Sequence, residues 1–301
     1  MQNKKIIIFG DSFADPRQHS DKHDSIVAWY ESLKSDYEVI NIGVSGTGPH
    51  YSFKDYYHFI NDNTYKDSEG KIHKGRHKEH LRRTPNHQVG DFELDYLENY
   101  IVIFLLSGEY RIAFPNANPD TITHINWDFD KKESWWCENE NLNKEKIYYD
   151  SFKSEIDFFF LTQHEELKWS NFKNLGFLYM NSLLFNMKTI VFCTFGIKVL
   201  SLMSNHLDFS KLNNSNFYLH PHELGTIAYK EFIDYTSDGD PGFNDNRRNH
   251  FSQENHTVLY KNIKKMINGD YDNFIPFVTN IDYSYNLGEV NDKSRGKFIY
   301  E

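Results

Sequence analysis

Three short apolar runs, Lys5–Phe9, Tyr100–Leu106 and Thr189–Phe195, constrain the fold more than any other feature of this sequence. Each is strand-length, dense in β-branched or aromatic residues, and without strict polar alternation, which is how a strand buried on both faces reads. Glu38–Ile42 reads as a further strand. The segments between them carry helical periodicity. Ser25–Lys34 spaces Ile26, Trp29, Tyr30 and Leu33 along one face, Tyr51–Phe59 reads as a helix, and Gln253–Ile267 sets Val258, Ile263 and Ile267 on one side. Strands alternating with helices predict a parallel sheet covered on both faces. The expected architecture is α/β: a flavodoxin-like three-layer α/β/α sandwich with a mainly parallel sheet.

Spacing along the chain is uneven. Residues 61–95 and 112–150 are long, polar and aromatic, and read as insertions into the core framework. The last stretch, from about 270, is rich in Tyr, Asn and Asp and reads as an arm. With no internal repeat and no Pro/Gly-rich linker, one elaborated domain spanning 1–301 is expected. The 39% hydrophobic and 17% aromatic content supports a packed core and argues against a disordered chain.

Charge and cysteine content exclude several classes. A net charge of −10 opposes a nucleic-acid partner unless a local basic patch exists. No apolar run approaches the ~20 residues that span a bilayer. Cys137 and Cys193 lack Cys-x-x-Cys spacing and build no disulfide framework. The N-terminus has no apolar stretch of signal-peptide length, so a cytoplasmic location is expected, whether alone or in a phage or other assembly made inside a cell. The oligomeric state stays open.

Unusual residues follow each early strand. Strand one runs into Gly10-Asp11-Ser12-Phe13, strand two into Asn41-x-Gly43-x-Ser45-Gly46-x-Gly48, and the next into Ser107-Gly108-Glu109-Tyr110-Arg111. Asp245-Asn-Arg-Arg-Asn249-His250-Phe-Ser252 precedes the final helix. Ligands of open α/β sheets bind beyond the carboxyl ends of the strands. A serine hydroxyl there needs a base within reach, and an imidazole, steadied by a carboxylate, supplies one at neutral pH.

Together these blocks resemble the SGNH (GDSL-type) hydrolase family. Ile6-Ile-Ile-Phe-Gly-Asp-Ser-Phe13 matches its first block, Asn41–Gly48 is similar to the second, and Asn249-His250 looks like the last. The resemblance implies Ser12 as nucleophile, His250 as base and Asp245 as its orienting carboxylate. It implies an oxyanion hole from the amides of Ser12 and Gly46. Two departures stand out. The third block lacks the family's asparagine, leaving Glu109, Tyr110 and Arg111 as substrate-binding candidates. Position 247 is Arg247 where the family usually has aspartate, so Asp245 lies five residues ahead of His250.

The expected function is ester hydrolysis through a serine acyl-enzyme, with an acetylated glycan as the preferred substrate class and no cofactor or metal. O-acetyl transfer to a sugar and a non-catalytic glycan-binding or structural module on the same scaffold remain open alternatives. His256 reads as a packing or capping residue. His73, His77 and His80 read as one face of a solvated basic helix, and His220-Pro-His222-Glu223 as a loop.

Overall fold

The computed structural model describes residues 4–16, 26–43, 48–61, 64–66, 72–74, 97–107, 111–112, 123–124, 169–170, 172–194, 213–220, 222–235, 248–271 and 273–278. Its centre is a five-stranded, all-parallel sheet of β1 (Lys5–Phe9), β2 (Glu38–Asn41), β5 (Tyr100–Leu106), β8 (Lys188–Cys193) and β9 (Phe217–Leu219). The spatial order is β2-β1-β5-β8-β9. Counted within this sheet alone, that is the flavodoxin-like order, which reverses direction beside β1.

Period-two alternation divides the strand residues between two cores. Ile7, Phe9, Tyr100, Val102, Phe104, Val191 and Cys193 face one side, with Tyr56, Phe59 and Ile60 of α2 (Pro49–Asn61) and Leu175 and Leu178 of α3 (172–184). Ile6, Ile8, Ile101, Ile103, Leu105, Ile190 and Phe192 face the other. There they meet α1 (Trp29–Leu33), α4 (Leu224–Tyr235) and α5 (Gln253–Ile267). The result is the expected three-layer α/β/α sandwich. Every side chain of β5 is buried, as its unbroken apolar run requires.

Gly10 marks where β1 passes close to β5. A Cβ there would sit 2.5 Å from Leu105 Cβ, so no side chain fits without displacing the neighbouring strand.

The helix expected over Ser25–Lys34 is shorter: α1 begins only at Trp29. Ile26 and Val27 are committed elsewhere, because Arg248 Nη1 donates to Ile26 O while Gln253 exchanges hydrogen bonds with the Val27 N–H and carbonyl. By contrast α5 spans the expected Gln253–Ile267. Ser252 caps it by accepting from Asn255 N, and Lys264 and Lys265 complement the dipole of its last turn.

Two small antiparallel pairs lie outside the main sheet: β3 (Thr64–Lys66) with β4 (Ile72–Lys74), and β6 (Arg111–Ile112) with β7 (Thr123–His124). His73 is therefore in a strand opposite Tyr65, not on a basic helix; His77 and His80 lie outside the described residues. Most of the two insertions, 61–95 and 112–150, lies outside them too.

The C-terminal arm is described to Val278. Tyr271 stacks on Tyr218 at 4.8 Å and Phe277 on Phe251 at 6.1 Å. Asn262 of α5 both donates to and accepts from Ile275, and Asn255 Oδ1 accepts from Val278 N. Among the described residues no helix is long and apolar enough to cross a membrane.

Candidate active site

The chain leaving β1 turns sharply at the carboxyl edge of the sheet. Ala14 N donates to Asp11 O at 3.0 Å, closing a tight turn around Ser12 and Phe13. Asp11 is fully buried and works inside the turn: Phe13 N donates to its Oδ1, and Thr194 Oγ1, just past β8, donates to its Oδ2. An aspartate at the first position of a turn commonly binds the backbone two residues on.

The carbonyls of this turn are tied down from three directions. Asn249 Nδ2 donates to Ser12 O at 2.6 Å and to Asp15 O at 3.1 Å. Trp29 Nε1 of α1 donates to Phe13 O at 2.9 Å, and Asn41 Nδ2 of β2 to Ala14 O at 2.7 Å. Tyr30 Oη, 3.2 Å from each, shares its single proton between Asp15 O and Asn249 Oδ1. Buried backbone carbonyls outside regular structure need such partners, and here each of four consecutive ones has a side-chain donor. Gly43 lets the chain after β2 run against this turn, since a Cβ would lie 2.9 Å from Ala14 Cβ.

Opposite the turn, His250 presents Nε2 to Ser12 Oγ at 2.9 Å. Its ring leans on Phe13, centroids 4.9 Å apart. Ser12 is 6% exposed, and His250 is half-buried. Among the described residues the Ser12 N–H has no acceptor.

His250 is delivered by an unusual backbone. Asn249 (φ 47°) and His250 (φ 67°) are both left-handed. For a residue such as His250 this conformation costs on the order of 1–3 kcal/mol and persists only when neighbours enforce it, whereas asparagine enters it more readily. The neighbours here are specific. Arg248 reaches Glu31 with both terminal nitrogens at 2.7 Å, and its Nη2 lies 3.3 Å from Tyr30 Oη. Burial alone would lower the Arg248 pKa, but the Glu31 hydrogen bonds and charge, helped by Tyr30, raise it. Burial pushes the Tyr30 hydroxyl well above its ordinary value, against the opposing pull of Arg248. His256 Nε2 meets Arg248 O at 2.8 Å while Nδ1 accepts from Trp29 N. His256 is thus a buried packing and bonding residue of α5, in keeping with the sequence reading.

Of the sequence-derived site residues, Ser12 and His250 are brought together. Asp245, Gly46, Glu109 and Tyr110 lie outside the described residues. Arg111 opens β6 opposite His124. Gly43 N donates to Asn41 Oδ1, so that glycine amide is already engaged. His220 and His222 bond to each other through the backbone beside Phe274, and no metal-holding group occurs among the described residues. Sequence reasoning missed Thr194, Trp29 and Asn41 as supports of the turn. Their partners are far away along the chain, so no local pattern reveals them. The asparagine of Asn249-His250 was visible as a motif residue without a task.

No family model, curated protein or solved structure matches this chain.

Proposed function

We propose that this chain is a serine ester hydrolase of SGNH/GDSL type, working through an acyl-enzyme, with O-acetyl groups of a carbohydrate as its substrate class. One observation carries the reading: a buried serine hydroxyl lies 2.9 Å from an imidazole nitrogen at the carboxyl edge of a parallel sheet. That pairing is what a nucleophile and its general base require. The edge beside β1, where the strand order reverses, is where ligands of such sheets bind. The substrate class comes from the resemblance and from the aromatic insertions of the sequence.

In this mechanism Nε2 of His250 accepts the Ser12 hydroxyl proton as Oγ attacks the acyl carbonyl. The C–O π electrons move onto the oxygen, and the Ser12 N–H, which has no other acceptor among the described residues, donates to it. Collapse expels the alcohol, which takes the proton from His250. Water then repeats the sequence on the acyl-enzyme, with His250 again as base, and releases the acid.

The test is incubation with a fluorophosphonate probe, comparing wild type with Ser12→Ala. Labelling of the wild type alone is expected. Absence of labelling at Ser12 overturns the hydrolase reading and favours a non-catalytic module. Release of acetate from acetylated xylan or a comparable glycan, against p-nitrophenyl acetate as a simple ester, then tests the substrate class.

A further inference from the structure

We propose that Asn249 is a positioning residue that sets the distance between nucleophile and base, a role that rests on the hydrolase reading above. Among the described residues its amide meets the Ser12 and Asp15 carbonyls and the Tyr30 hydroxyl. Nδ2 donates to the carbonyls of Ser12 and Asp15, and Oδ1 shares the single Tyr30 hydroxyl proton with Asp15 O, both 3.2 Å from Tyr30 Oη. The next residue in the chain is His250.

One peptide unit therefore separates the side chain that grips the serine's own carbonyl from the imidazole that meets its hydroxyl. The Ser12–Phe13 peptide is held at both polar ends, its oxygen by Asn249 and its N–H by Asp11. The Ser12 backbone, and with it the Cα–Cβ bond that carries Oγ, cannot shift away from His250 without straining one of these bonds. The left-handed backbone completes the device. At φ 47° and ψ 34° the chain reverses sharply, so the Asn249 side chain and the His250 ring converge on the same turn. Asparagine is among the few non-glycine residues that adopt this conformation readily, and only it offers two amide donors as well.

No other side chain satisfies all these demands. Aspartate keeps the shape and the backbone preference but turns acceptor oxygens toward two carbonyls. Glycine keeps the backbone and removes the grip. A displacement of about 1 Å at a reacting centre is enough to cost on the order of a hundredfold.

The experiment measures the rate of fluorophosphonate labelling as a function of probe concentration for wild type, Ser12→Ala, Asn249→Gly and Asn249→Asp, with thermal melting of each. Asn249→Gly and Asn249→Asp should label at least about tenfold more slowly at saturating probe, with the half-saturating concentration unchanged. A merely structural role would move melting without this split. If wild type shows no Ser12-dependent labelling, the hydrolase reading falls and the positioning role with it. If wild type labels and a folded Asn249→Gly or Asn249→Asp matches its saturating rate, the positioning role alone is overturned. If neither variant melts cooperatively, Asn249 is a folding residue and the proposal is likewise overturned.

Discussion

Arg248 and Glu31 meet through two parallel hydrogen bonds, Nη1 to Oε2 and Nη2 to Oε1, each 2.7 Å long. The pair ties the segment that carries His250 to the start of α1, where Glu31 Oε2 also accepts from Ala28 N. The Arg248 side chain is 3% exposed and that of Glu31 25%. Removing the carboxylate leaves a desolvated guanidinium, which typically costs about 3–5 kcal/mol. Glu31→Gln should fall near the low end, at about 3 kcal/mol, because Ile26 O and Tyr30 Oη remain beside Arg248. Urea denaturation of Glu31→Gln, Arg248→Met and the double variant measures this. Strictly additive losses would show that the two side chains do not act as a pair.

The contact of Ser12 with His250 carries a pH signature. A protonated imidazole cannot accept the serine proton, so kcat/KM for a simple ester should fall on the acid side with a single ionisation. His250→Asn should remove that limb along with at least about a hundredfold of the rate. A profile flat from about pH 5 to 8, with chemistry rate-limiting, would exclude histidine as the base.

Much of this architecture is written in local patterns. β5 is legible because seven consecutive residues are all buried, and α5 because its cap, periodicity and terminal lysines agree. Ser12 and His250 are legible because they follow a strand and precede a helix in a recognisable order. β9 is not, since three residues preceded by an asparagine-rich stretch and followed by His220 carry no period. α3 hides for another reason: Phe177, Met180, Leu183 and Leu184 are exposed, so apolar residues surround the helix and blur its buried face. The clamps from Trp29 and Asn41 are tertiary. Trp29 reads correctly as a core residue of a helix, yet its indole N–H also holds the Phe13 carbonyl, sixteen residues away.

Glycine requirements at the site separate stability from catalysis. Gly10→Ala presses a methyl group into Leu105, inside the sheet, and overpacking of this kind costs about 1–3 kcal/mol. Gly43→Ala meets Ala14 instead, including its backbone carbon and oxygen at 3.1 Å, so the strain falls on the turn that holds Ser12. Gly10→Ala should therefore lower the melting temperature with a modest effect on the activity of the folded fraction. Gly43→Ala should reduce kcat by about tenfold or more, through misplacement of the nucleophile. Equal activity losses per unit of destabilisation in the two variants would contradict this division.

His220 gives the fold an acid sensitivity of its own. It follows β9, with ring centroids of Phe192 and Phe274 at 5.0 and 5.4 Å, and burial pushes its pKa down to about 3. The backbone of His222 pulls the other way without offsetting that effect. In an unfolded chain a histidine titrates near 6.5. Between these two values the unfolded state binds a proton that the folded state refuses, so stability rises with pH across this window. The contribution is whole above about pH 6.5 and is lost as pH falls toward 3, at up to about 1.4 kcal/mol per pH unit. His220→Phe keeps an aromatic ring against Phe192 and Phe274 but cannot take up the proton. It also loses the contact of Nδ1 with the His222 backbone, a cost that does not depend on pH across this range. Urea denaturation of both proteins at several pH values from about 4.5 to 7.5 should show the variant less stable at the upper end, with the gap narrowing as pH falls. Parallel curves would mean that His220 does not set the acid limit of this fold.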